Sequence, residues 1–182
     1  IVMNYAHGGS LKDNLQKISR MSWKKRLFIL NSIIFGLTGI HQLRIVHKDL
    51  HSGNILMCNS LNENDDWNIS LISDLGLSQP INKHSLKDEE ICGVLPYMAP
   101  EVLRENSYTE KSDIFSFGMI MWEIAAGEPP FNNLSHDINL SLVVGVRPQI
   151  ANSIPQFYAS LIKRCWDMDP SKRPTAKELL NI

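Results

Sequence analysis

Apolar residues recur at three- and four-residue steps through much of the chain, broken by short polar stretches where elements should end. Ser10 followed by Asp13 reads as a capping box, and Leu11, Leu15 and Ile18 behind it form one apolar stripe, which predicts a helix. Trp23, Leu27, Leu30, Ile34, Leu37 and His41 keep the same step and predict a long amphipathic helix. From Asp113 to Ala126 the chain is apolar on nearly every face, the pattern of a buried central helix, with Gly127 placed to end it. Phe157 to Trp166 predicts another amphipathic helix, and Thr175 with Glu178 predicts the capped start of a last one. Only two short runs are β-prone, Ile55-Leu56-Met57-Cys58 and Ile69-Ser70-Leu71-Ile72. They should pair as a hairpin around the Asn-rich stretch Asn59 to Asn68, a loop and not a domain boundary. The expected class is mainly α with a small β-hairpin (α+β).

Composition narrows the partners rather than the fold. A chain of 182 residues can build one domain with a real core, and 43% apolar with 20% charged residues is ordinary for a globular protein. A net charge of -1 gives no basis for binding nucleic acid or an anionic membrane. Lys24-Lys25-Arg26 is the one basic cluster and reads as a solvated helix face. Cys58, Cys92 and Cys165 are too few and too scattered for a disulfide framework or a zinc site, and they suit a reducing, cytoplasmic setting. The longest apolar run, Leu27 to Leu37, is interrupted by Asn31 and Ser32, so no membrane span is expected. Ile1-Val2-Met3-Asn4-Tyr5 has no signal-peptide pattern and suggests a start inside a larger protein.

The candidate chemistry lies in the polar breaks. Ile45-Val46-His47-Lys48-Asp49-Leu50-His51-Ser52-Gly53-Asn54-Ile55 sets an Asp between two apolar runs with an Asn five residues later. Ser73-Asp74-Leu75-Gly76 and then Ala99-Pro100-Glu101 follow. Singly, each is an ordinary turn-former. In this order they resemble the catalytic loop, metal loop and activation-segment end of protein kinases. Ile1 to Leu11 is similar to the inter-lobe hinge, and Arg173-Pro174-Thr175 to the closing Arg-Pro motif. The resemblance covers the whole chain, with hinge at 1–11 and C-terminal lobe at 12–182.

That resemblance implies a protein-kinase-like fold, C-terminal lobe only. It also implies ATP and Mg²⁺ as ligands and a protein hydroxyl as acceptor. Asp49 would take the acceptor's proton, and Asn54 and Asp74 would hold the metal, a carboxylate and an amide oxygen suiting a hard cation. His51 would stand near the γ-phosphate, where Ser/Thr kinases commonly carry Lys. Asn4 and Ala6 would bond the adenine through their backbone, Met3 would guard the pocket, Ser10 would lie near the ribose, and Leu56 would stack beneath the base with Leu11 below it. His47 and Leu75 would pack together in an apolar column. Asp113 would hold the catalytic-loop amides, and Glu101 would pair with Arg173. Ser78, Ser85 and Tyr97 are the hydroxyls of the activation segment.

The pattern is broken in several places. Lys48 replaces the usual Arg and lacks its planar fork, Val94 stands where Ser/Thr kinases carry Thr, and Leu75 replaces Phe. No Gly-rich phosphate loop and no V-A-I-K type lysine occur in the 182 residues, so the N-terminal lobe is expected to be absent. Tyr97-Met98-Ala99-Pro100-Glu101 resembles the Ser/Thr form of the segment, closest to the tyrosine-kinase-like group. The rival expectation is a pseudokinase acting as an interaction module. A small-molecule kinase is disfavoured by Ala99-Pro100-Glu101 with Asp113 and Arg173.

Overall fold

The helix expected at the centre of the chain is where the rest is attached. In the computed structural model, which describes residues 5–58, 69–81, 91–132 and 144–182, the first two helices are α1 (Leu11–Ser19) and α2 (Trp23–Gln42). They are followed by α3 (Pro100–Glu105), α4 (Glu110–Ala126), α5 (Gln156–Cys165) and α6 (Ala176–Leu180). Four short strands join them: β1 (Ile45–Val46), β2 (Ile55–Met57), β3 (Ser70–Ile72) and β4 (Gln79–Pro80).

α4 begins three residues before Asp113. Thr109 caps it through a box with Ser112, a signal hidden in a stretch that reads as loop. Thirteen consecutive residues, Ser112 to Ile124, are buried, which is why no amphipathic period shows there. Gly127 closes the helix at φ 82°, and a side chain there would collide with Ser19 of α1. α5 packs along α4, α1 touches its other side, and α2 lies against α6 and β3. The core runs through all of these, from Leu11, Ile18, Ile33 and Leu37 to Phe115, Ile120, Tyr158 and Ile162.

The expected hairpin forms, with Ile55 opposite Ile72, Leu56 opposite Leu71 and Met57 opposite Ser70. The loop expected between its strands, 59–68, lies outside the described residues, as does Ser85. A second antiparallel pair, Ile45 with Pro80 and Val46 with Gln79, ties the chain before the polar loop to the chain after Asp74. Pattern reading missed it because two-residue strands carry no alternation.

Two expectations need correcting. Leu75 was expected to pack with His47 in an apolar column, yet it is 55% exposed while His47 is fully buried. The two nitrogens of the His47 ring bond to the Ser73 carbonyl and the Asp49 amide. Arg26 is not simply solvated: its guanidinium lies 4.4 Å from the Trp23 ring centroid and its Nε donates to the Met21 carbonyl. No helix among the described residues is long and apolar enough to cross a membrane.

Candidate active site

The polar loop between β1 and β2 cannot hold its own shape. Lys48 sits at φ 72°, a left-handed conformation that costs a side-chain-bearing residue about 1 kcal/mol or more. Asp113, buried in the first turn of α4, supplies the restraint. One of its carboxylate oxygens accepts the His47 amide at 2.8 Å and His41 Nε2 at 2.9 Å, and the other accepts the Lys48 amide at 3.1 Å. His47 adds a second brace. Its Nδ1 accepts the Asp49 amide at 3.3 Å, so the proton is on Nε2, which donates to the Ser73 carbonyl at 3.1 Å.

These supports gather Asp49, His51 and Asn54 into one cluster. Asn54 Nδ2 donates to the Asp49 carbonyl at 2.9 Å and to Asp49 Oδ2 at 3.2 Å. His51 Nδ1 accepts the Gly53 amide at 3.0 Å, which leaves its protonated Nε2 facing Asp49 Oδ2 at 3.6 Å. Burial pushes the His51 pKa below its ordinary 6.5, against the opposing pull of Asp49, so the ring is uncharged at neutral pH. Asp49 Oδ1, by contrast, is buried and has no hydrogen-bond partner. It points toward Gly93, where an added Cβ would lie 3.5 Å away.

Asp74 joins the cluster through its neighbour. Ser73 donates its amide (2.8 Å) and its hydroxyl (2.9 Å) to the Asn54 carbonyl. Asp74 then turns outward at φ 60°, exposed, with Oδ1 accepting the Gly76 amide at 3.1 Å. The Asn54 amide nitrogen is committed to Asp49, so its Oδ1 is left as a donor to a cation, and Asp74 offers a carboxylate. Among the described residues no three His, Cys, Asp or Glu side chains converge on a metal position. Asn54 offers an amide oxygen and Asp74 a carboxylate, both of the ligand type that a hard cation such as Mg²⁺ would take.

Beside this cluster the segment from Ala6 to Ser10 runs along β2. The Gly8 amide donates to the Met57 carbonyl, the Met57 amide donates to the Gly9 carbonyl, and Ser10 bridges Leu56. Leu56 is half-buried here and Leu11 wholly buried. The Ser10 hydroxyl is occupied in capping α1 with Asp13. Met3 and Asn4 lie outside the described residues.

The family scan settles the kinship: the protein kinase domain model matches residues 1–182. The chain belongs to the protein kinase family. A putative serine/threonine-protein kinase/receptor of Acanthamoeba polyphaga mimivirus is 32% identical over 99% of the kinase chain. Two serine/threonine-protein kinases of Dictyostelium discoideum, one named as probable, are 36% and 34% identical over all of it. The kinase chain spans only 10%, 19% and 24% of these relatives' lengths, respectively.

One group in the kinase domain escaped sequence reading. Glu123, in the middle of apolar α4, is 0% exposed. Its Oε1 accepts the Tyr97 hydroxyl at 2.7 Å and the Ser52 hydroxyl at 3.0 Å, while Oε2 is buried without a partner. The only hint was a lone acid at a position that every neighbour marks as core. Burial raises its pKa from the ordinary 4.5 to about 7, the two hydroxyls and Lys12 only partly offsetting it. A raised folded-state pKa means the stabilising contribution is complete below 4.5 and is lost as pH rises through 7. Between pH 5 and pH 8 the chain should therefore lose about 2–3 kcal/mol of stability through this one group. Urea titrations of the chain and its Glu123→Gln variant at both pH values measure this. The variant should lack most of that loss, and parallel pH dependences would refute it.

Proposed function

We propose that the chain is the substrate-side lobe of a protein kinase that moves the γ-phosphoryl group of ATP to Ser/Thr hydroxyls, with Tyr the less favoured acceptor. The observation that carries the reading is the unpartnered, buried Oδ1 of Asp49. A carboxylate oxygen with no donor among the described residues keeps a lone pair for an O–H that approaches when the Gly93 side of the site opens. The substrate oxygen attacks the γ-phosphorus, its bond to the bridging oxygen of ADP breaks, and Asp49 Oδ1 receives the hydroxyl proton. Asn54 and His51 keep the other Asp49 oxygen engaged, so the carboxylate cannot swing away. Mg²⁺ on Asn54 and Asp74 would neutralise charge on the phosphates. Ala6, Ser10 and Leu56 line the expected nucleotide side, with Met3 and Asn4 assigned by motif alone.

His51 carries no charge at neutral pH, so it orients Asp49 rather than clamping phosphate. That weakens phosphate binding and keeps a second reading in view, a pseudokinase that retains the shape for protein contacts. Phosphoryl transfer to a peptide library, run on a protein carrying both lobes with Mg-ATP, distinguishes them. Phosphoserine and phosphothreonine should dominate the product. No transfer at any pH from 6 to 9 would select the pseudokinase, and mostly phosphotyrosine would reverse the acceptor preference.

A further inference from the structure

Lys48 occupies the place next to Asp49 from which an Arg grips an activation-segment phosphate when such a segment is ordered by phosphorylation. Its ammonium is already engaged: Nζ lies 4.3 Å from the centroid of the Tyr108 ring. Tyr108 belongs to the connection between α3 and α4. Its hydroxyl donates to the Cys92 carbonyl at 2.6 Å and accepts the Cys92 amide at 3.1 Å, gripping both polar groups of one residue. The next residue, Gly93, has φ 125°, and a Cβ there would meet the Lys48 carbonyl at 3.3 Å and Asp49 Oδ1 at 3.5 Å. One half-buried side chain therefore touches the residue before the proposed base on its ring face. With its hydroxyl it holds the strand of backbone that faces that base. Burial raises the Tyr108 pKa, so the hydroxyl keeps the proton it donates.

We propose that Tyr108 is a positioning residue: its hydroxyl seats the Cys92–Gly93 backbone against Asp49, so these two residues are held in place without a phosphate group. Lys48 serves here as a cation on an aromatic face instead of a phosphate ligand. The functional part of this inference rests on the phosphoryl-transfer reading, and the geometric part does not.

Tyr108→Phe keeps the ring under Lys48 and removes only the grip on Cys92. In the 182-residue chain the Cys92 amide should exchange with solvent at least tenfold faster in this variant, read by NMR, with the denaturation midpoint nearly unchanged. Unchanged exchange at Cys92 overturns the proposal. In a protein carrying both lobes, Tyr108→Phe should raise the KM for peptide or lower kcat by about tenfold, with the KM for ATP unaltered. Phosphatase treatment should leave the unsubstituted enzyme as active as before, and loss of its activity on that treatment would overturn the proposal. If the two-lobed protein transfers no phosphate at all, the transfer reading fails, and the exchange comparison alone decides the role of Tyr108.

Discussion

Arg173→Ala should lower the stability of the chain by about 3–5 kcal/mol. Arg173 is 1% exposed, and its three nitrogens satisfy groups from three places. Nη1 and Nη2 form a fork on Glu101, at 2.6 and 2.8 Å, fixing the start of α3. Nη1 also donates to the Lys111 carbonyl in the first turn of α4, and Nε to the Asp167 carbonyl beyond α5, each at 2.8 Å. The guanidinium lies over the Phe115 ring, 5.2 Å from its centroid. Truncation would leave the Glu101 carboxylate unpaired in a mostly buried site and remove a donor from the Lys111 and Asp167 carbonyls. Breaking such a pair costs about 3–5 kcal/mol, against a total stability of about 5–15 kcal/mol for a domain. Arg173→Lys should recover little, because an ammonium cannot reach both Glu101 oxygens and two carbonyls at once. Urea titration followed by circular dichroism reads the effect, and an unshifted midpoint for Arg173→Ala would sink the argument.

Asp49→Asn should cut phosphoryl transfer by about 10²–10⁴-fold, the range expected when a positioned proton acceptor is lost. The amide is nearly isosteric, and its oxygen can still accept from Asn54 Nδ2. The amide nitrogen then takes the place of Oδ1, a donor where an acceptor is needed, so the incoming hydroxyl meets a hydrogen instead of a lone pair. Mg-ATP affinity should stay within about twofold, since the proposed metal donors are Asn54 and Asp74. Both quantities are measured on a protein with both lobes. Transfer retained within tenfold of the parent would remove Asp49 from the role of base.

Legibility in the sequence followed how local each signal was. Ser10 and Thr175 announce helices because a cap and its partner sit three residues apart, and both boxes form. The long helix and the hairpin were readable from period and β-propensity, whereas the register of the hairpin comes from the structure. The start of α4 was misplaced at Asp113 because Asp113 itself is a loop anchor, while the actual cap, Thr109, lies among polar residues without contrast. Asp49, Asn54 and Asp74 were found by motif order, and the structure brings Asp49 and Asn54 into direct contact and ties Asp74 to them through Ser73. The Ser52–Tyr97–Glu123 cluster and the Tyr108 grip were invisible, since their partners are separated by 16 to 71 residues and share no motif. Leu75 failed because a resemblance predicts a neighbour, and burial depends on what covers both.

The Asp113 carboxylate has one more consequence. Two oxygens on a buried helix hold two consecutive amides of the loop and a histidine of α2, so the loop's curvature belongs to the interior of the fold and not to the loop's own residues. Its ordering entropy is therefore lost once, when the chain folds, and no part of it is drawn from the free energy of a substrate docking there. Loop residues whose side chains bond neither to Asp113 nor to the loop's own backbone can change without letting the loop relax. A site hung in this way can exchange its chemistry while keeping its outline, which is the freedom a lineage needs to turn a catalyst into a scaffold, or to turn it back.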